Sequence, residues 1–334
     1  MTPAISESKH KLRKTFFTTI NCGIYENGLH PLSALHLYKT IVLPKALYGC
    51  ELWSSLTSEH ILMLEIAHRF CIKYIQNISN RSRTDVALNL LGLLPIEAEI
   101  DRRKLVFLGQ LCNLRNDNII KEIFVNRLTY YLNFTSKATG FVPDIYRICK
   151  KYNLLFALDS YVSHGNFPCK ATWKRIIDSN IMISHMSTFQ SRVNSDVDLN
   201  IFQIVQSEQY GTPSHIWLLS KNDRSKLKYS QIIVKLINRL FSRPYITNCI
   251  ECNRLTDNIV IHVFLYCPNR FGKREIFWMH IYECFGKAIF STIMGLPPLQ
   301  QLLHLMSGLR NFVSQELETE SLTVTSRELY RLYS

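Results

Sequence analysis

Through most of this chain apolar residues recur at three- and four-residue intervals, the period of helices rather than of strands. Ser6 or Ser8 is placed to cap a first helix over Lys9–Cys22, with Gly23 and Gly28 as punctuation after it. Pro31 suits the opening position of a second helix carrying Leu32, Leu35, Leu37, Tyr38 and Ile41. Pro44 interrupts that helix, and the run VLPKALYGCELW from Val42 to Trp53 is too apolar for a surface. Thr57 or Ser58 caps the clearest helix. In it Leu62, Ile66, Phe70 and Tyr74 step by four, beside Met63, Ala67 and Cys71, while Glu65, Arg69 and Lys73 take the opposite face. Thr84 opens the helix TDVALNLLG, which Gly92 ends, and Pro95 opens another with Ile100, Phe107, Leu111 and Leu114 along one stripe.

These signals predict a mainly α fold in four parts. Residues 1–132 form a helical unit. Residues 133–240 form a helical connector, with helices near Pro143–Leu158, Ala171–Ser184 and Ser225–Phe241 and a polar loop over Ser191–Asp198. Residues 241–296 hold a small cysteine-bearing element with a basic flank. Residues 297–334 begin Pro-Pro and end in the polar ETESLTVTSRELYRLYS, expected to be a partly ordered tail.

Charge narrows the partners. A net charge of +13 suits a polyanion, nucleic acid first and an anionic membrane second. No apolar run approaches the roughly 18 residues of a membrane span, and the N-terminus has no apolar signal region, so the expected location is intracellular, in cytoplasm or nucleus. Six of the ten cysteines (Cys22, Cys50, Cys71, Cys112, Cys149, Cys169) are scattered singly among apolar residues, as buried hydrophobes of a reducing compartment would be.

One cluster carries chemistry. Two residues separate Cys249 from Cys252, nine separate Cys252 from His262, and four separate His262 from Cys267. Zinc takes four N or S donors in a tetrahedron, and a Cys-x-x-Cys turn sets two thiolates on one ion. Thr256 or Asn258 can cap a short helix that carries His262 near its start and Cys267 at or past its end. A chance grouping of core cysteines and a redox Cys-x-x-Cys are the competing readings. The first is disfavoured by four donors within 19 residues, the second by the absence of a preceding βαβ pattern. The same stretch is basic: from Lys221 to Glu275 eleven Lys/Arg stand against four Asp/Glu, net +7. Arg243, Arg254, Arg270, Lys273 and Arg274 are the candidate phosphate contacts. Phe264 and Phe277 are assigned to a small core around the metal rather than to base stacking.

Four blocks of this sequence resemble the reverse transcriptases of LINE-type non-LTR retrotransposons. They are Leu29–Trp53, Thr57–Ile75, Leu90–Leu111 and the Cys-Cys-His-Cys element followed by Arg274, Phe277 and Trp278, and they occur in the family's order. The resemblance implies that the helical N-terminal part is thumb-like, gripping a template–primer duplex, and that the knuckle binds RNA or DNA. Such polymerases hold two metal ions with an aromatic-x-Asp-Asp turn in the palm. This chain has no adjacent aspartates, its closest pair being Asp196 and Asp198, and no aspartate after Cys267 for a C-terminal nuclease.

The expected function is therefore that of a non-catalytic, nucleic-acid-binding fragment with one structural zinc, without a membrane or small-molecule partner. The alternatives are part of an active RNA-directed DNA polymerase whose palm and fingers lie upstream, and a zinc-stabilised protein-interaction module.

Overall fold

In the computed structural model, residues 2–25, 28–134, 139–206, 209–242 and 246–333 are described. Helices dominate them. In chain order they are α1 (Thr2–Ile20), α2 (Pro31–Leu37), α3 (Leu43–Ala46), α4 (Ser58–Ile75), α5 (Thr84–Leu91), α6 (Ile96–Cys112), α7 (Ile119–Phe134), α8 (Phe141–Lys151) and α9 (Leu155–His164). There follow α10 (Lys170–Ser195), α11 (Val197–Phe202), α12 (His215–Leu219), α13 (Leu227–Leu240), α14 (Ile259–Ile261), α15 (Phe271–Met294), α16 (Pro298–Met306) and α17 (Glu318–Tyr333). Two short strands, β1 (Thr247–Asn248) and β2 (Leu255–Thr256), pair antiparallel. The fold is thus mainly α, as the periodicity predicts. None of the helices is long and apolar enough to cross a membrane, among the described residues.

The chain packs as two compact units that interleave in sequence: Met1–Thr18, Tyr38–His68 and Leu94–Ser191 in the first, Thr19–Leu37, Arg69–Leu93 and Arg192–Ser334 in the second. This grouping differs from a succession of four parts. The end of α6 and the helices α7 to α10 share one apolar cluster around Leu105, Leu108, Phe124, Cys149, Leu158 and Trp173, so no boundary falls at residue 132. Trp173 lies so close to α6 that a Cβ on Gly109 would stand 2.3 Å from its indole, and the indole N–H donates to the Leu105 carbonyl at 2.7 Å. In the second unit Trp217 of α12, Ile233 and Ile237 of α13, Leu303 of α16 and Leu329 of α17 are fully buried.

Several local readings change. α1 begins at Thr2, ahead of both serines, and Ser8 is no cap: it is buried and donates to the Ala46 carbonyl at 2.7 Å. In the apolar run after Pro44, Tyr48 is 87% exposed and Leu52 also faces solvent, while Leu47, Cys50 and Trp53 turn inward. The largest reversal is on α4, which Thr57 caps by accepting the His60 N–H. Its predicted apolar stripe is half in solvent, Leu62 at 50% and Ile66 at 53%, whereas Glu65 and Lys73 are buried. Each buried polar group has a partner. Glu65 accepts the Ile96 N–H at the start of α6, Tyr38 and His68 share a 2.7 Å hydrogen bond, and Lys73 donates to the Asn80 carbonyl. Polar residues enter a core where such partners wait, and the displaced aliphatic side chains lose only part of their burial.

The polar stretches also turn out to be helical. α10 continues to Ser195, and Asp196 caps α11 by accepting the Leu199 N–H while pairing with Arg83 at 2.6 Å. The C-terminal tail is the helix α17. Its buried face includes Ser321 and Thr325, whose hydroxyls donate to the carbonyls of Gly308 and Ser321, so a polar composition is compatible with burial. Gly92 takes a left-handed φ of 64° at the end of α5. A Cβ there would stand 2.3 Å from the Thr212 backbone, so glycine is demanded twice over.

Of the six scattered cysteines, Cys50, Cys71, Cys112 and Cys149 are buried, while Cys22 and Cys169 are exposed. Burial pushes the thiols of Cys50, Cys112 and Cys149 up to about 12. Cys169 behaves differently. It sits one residue before α10, and hydrogen bonds with the Thr172 side chain and backbone, with Arg175 nearby, hold its thiol below the ordinary value. A lowered thiol is ionised at lower pH, so iodoacetamide at neutral pH is expected to label Cys169 ahead of the other exposed cysteines, Cys22 and Cys284, with the advantage shrinking as pH rises. Peptide mapping that finds Cys169 labelled last would overturn this.

Candidate metal centre

The cysteine-bearing element is assembled from three local devices. β1 and β2 pair Thr247 with Thr256 and Asn248 with Leu255, and between them the chain makes a tight knuckle. There the Cys249 N–H donates to the Arg254 carbonyl at 2.9 Å and the Asn253 N–H to the Cys249 carbonyl at 2.8 Å. Asn253 closes the knuckle with a left-handed φ of 58°, a conformation asparagine tolerates better than most residues. Asn258 then caps α14, its side-chain oxygen accepting from Val260 and Ile261, both at 3.1 Å. α14 runs on into a single π-helical turn, His262–Tyr266, closed by a 2.7 Å bond from the Cys267 N–H to the His262 carbonyl. The wider turn carries Cys267 back to the knuckle, and Pro268 starts a 3-10 turn leading to α15.

These devices bring together the four predicted ligands. One donor atom from each of Cys249, Cys252, His262 and Cys267 lies within 4.8 Å of the others. The Cys249 and Cys267 sulfurs are 3.9 Å apart, and the Cys252 sulfur is 3.1 Å from His262 Nε2. Thiolates bound at about 2.3 Å on the corners of a tetrahedron would stand roughly 3.8 Å apart, so the cluster has the size of a metal cage. Cys249, His262 and Cys267 are buried and Cys252 is half-buried. Burial resists ionisation of Cys249, but the backbone N–H groups of Cys252 and Glu251 outweigh it and hold that thiol below its ordinary value. At Cys267 burial prevails and the thiol is raised. Three sulfurs and an imidazole, with no carboxylate, form a donor set able to hold a metal ion such as zinc.

The basic residues around the cluster divide. Arg254 and Lys273 are exposed. Arg274 is half-buried and donates to the Cys267 carbonyl at 3.0 Å. Arg243 lies outside the described residues. Arg270, which the sequence offers as a phosphate contact, is a correction: it is buried at 8% exposure and fully engaged inside the protein. Its Nε donates to Glu251 at 2.7 Å, one terminal nitrogen pairs with the same carboxylate, and the other grips the Leu332 carbonyl in the last turn of α17. The guanidinium in turn holds the Glu251 carboxylate below its usual range.

Two structural residues were missed from sequence. Glu251 stands inside the Cys-x-x-Cys, where its acidity was the only hint of a cation partner. Tyr333 stacks on Phe264 with ring centroids 6.2 Å apart and planes 12° from parallel, and nothing in the sequence joins residues 69 positions apart. Phe264 and Phe277 are buried, in keeping with their assignment to the core. No family model, curated protein or solved structure matches this chain, so its function is argued from its own residues.

Proposed function

We propose that this chain is a non-catalytic, nucleic-acid-binding fragment of a LINE-type reverse transcriptase, in which Cys249, Cys252, His262 and Cys267 hold one structural zinc ion. The observation that carries the reading is the cage-sized four-donor cluster, set in the same stretch that holds over half of the chain's excess charge. Four protein ligands fill a tetrahedral ion and leave no position for a substrate, which makes the metal a folding element rather than a reagent. The absence of adjacent aspartates supports the non-catalytic half, because two-metal phosphoryl transfer depends on such carboxylates.

The test is binding of the full chain to a labelled single-stranded RNA at two salt concentrations. If four to six cations meet phosphates, affinity is expected to fall roughly 50- to 300-fold between 50 and 200 mM salt, through counterion release. The same RNA, primed and supplied with magnesium and nucleotides, is expected not to be extended beyond a heat-killed control. Binding that ignores salt, or none at 50 mM, would leave the interaction-module reading. Extension would restore the polymerase reading.

A further inference from the structure

Burial of Arg270 raises the question of where phosphates would be met. In α13 the residues that reach solvent, wholly or in part, are Lys228, Tyr229, Ile232, Lys235 and Arg239, three of the five cationic. α17 lies alongside in the same unit. Lys226 Nζ meets the Thr323 hydroxyl at 3.5 Å, the rings of Tyr229 and Tyr330 are 5.4 Å apart, and Arg239 donates to the Tyr333 hydroxyl. The aromatic rings form a shelf under the charges. The Lys228 ammonium stands 5.2 Å from the centre of Tyr229 and 5.3 Å from that of Tyr330, and the Arg239 guanidinium is 6.0 Å from that of Tyr333. At one end an open cavity of about 270 Å³ is lined by Arg224, Ser225, Leu227 and Lys228. Two of the acids nearby are occupied: Glu328, buried at 2% exposure, holds Arg327 and Arg331, and Asp223 accepts from Ser225.

We infer that the seam between α13 and α17, marked by Lys228, Lys235 and Arg239, is the surface that takes the sugar-phosphate backbone of a nucleic acid. The inference rests on the nucleic-acid reading above and moves its footprint away from Arg270. From Lys228 to Arg239 is eleven residues of helix, about 16 Å at 1.5 Å per residue. That length spans roughly four to five phosphates of one strand at 3.4 Å of axial rise. Cations already resting on rings lose less rotamer freedom on binding than cations free in water. The same arrangement covers faces of these rings, so bases have little to stack on, and recognition goes through phosphates without regard to sequence. A membrane partner is disfavoured because an interfacial helix presents large apolar side chains beside its cations, and the only aliphatic residue of α13 that reaches solvent, Ile232, is half-buried.

The experiment compares two triple variants of the full chain that lose equal charge. One is Lys228→Gln, Lys235→Gln and Arg239→Gln on the seam; the other is Arg81→Gln, Lys221→Gln and Lys287→Gln, exposed residues elsewhere in the same unit. The seam variant is expected to lose at least about tenfold in RNA affinity at 100 mM salt and to flatten the log–log salt slope by about two, at roughly 0.7 per contact on a single strand. The control is expected to change less than about threefold. Thermal melts of both variants check that neither has unfolded. Equal losses, or a larger loss in the control, overturn the seam while leaving nucleic-acid binding intact. Wild-type protein that shows no salt-dependent RNA binding removes both readings, and preference for anionic lipid vesicles over RNA through the seam residues assigns the surface to a membrane instead.

Discussion

Chelating the metal from purified protein is expected to release about one zinc per chain and to loosen two stretches together, residues 246–270 and the last turns of α17. The first follows from the site itself. A structural zinc contributes an apparent 10–16 kcal/mol or so to the fold of a small element, and the two-residue strands of this element offer little else to hold it. The second follows from Arg270. Its partners are Glu251, placed between two metal ligands, and the Leu332 carbonyl of α17, while Phe264, between His262 and Cys267, carries Tyr333. Once the knuckle no longer holds Glu251 in place, Arg270 keeps its charge without a fixed partner and the α17 terminus loses its anchor. Hydrogen exchange should therefore quicken in both stretches, while the cluster around Trp173 in the first unit keeps its protection. Cys249→Ser and His262→Ala should reproduce the effect without chelator. Acid should do so as well, because thiolate and neutral imidazole donors are lost on protonation. Elemental analysis that finds no metal in protein prepared without chelator would end this account.

The four-donor cluster was legible because it is local. All four donors lie within 19 residues, and the devices that fold the chain back, the Asn258 cap and the knuckle, depend on nearby residues alone. The helices were legible for the same reason, since period and caps are short-range properties. What each helix buries was much less so. On α4 the stripe of Leu62, Ile66, Phe70 and Tyr74 reads as the core face, but the burial follows Tyr38, Asn80 and Ile96, which supply hydrogen-bond partners to His68, Lys73 and Glu65. Arg270 shows the same limit at the site. A cation three residues past a ligand reads as a phosphate contact until α17, some 60 residues on, presents a carbonyl to it. The polar composition of α17 concealed it further, because serine and threonine hydroxyls that bond back to the helix satisfy themselves.

The buried pair Lys104–Asp144 in the first unit gives the second large effect. Lys104 is 1% exposed, and its ammonium lies 3.2 Å from Asp144 and donates to the Trp53 carbonyl. Asp144 also accepts the Ser55 N–H at 3.0 Å and pairs with Arg147 at 3.3 Å. The arrangement joins α6, α8 and the segment after Cys50, where Ser55 holds a left-handed φ of 55°. Replacing Lys104 by Met keeps the aliphatic length but leaves a buried carboxylate and a buried carbonyl short of a donor. Breaking a buried pair from one side costs about 3–5 kcal/mol, a large part of the 5–15 kcal/mol or so that holds a typical domain together. Lys104→Met is therefore expected to lower the urea midpoint sharply. Adding Asp144→Asn should recover more than half of the loss, because the neutral amide oxygen can still accept the Ser55 N–H without an uncompensated charge. Recovery in the double variant separates the charge from the packing, since a defect in shape alone would deepen with the second substitution. A Lys104→Met protein within about 1 kcal/mol of wild type would show that the pair is incidental to the unit it joins.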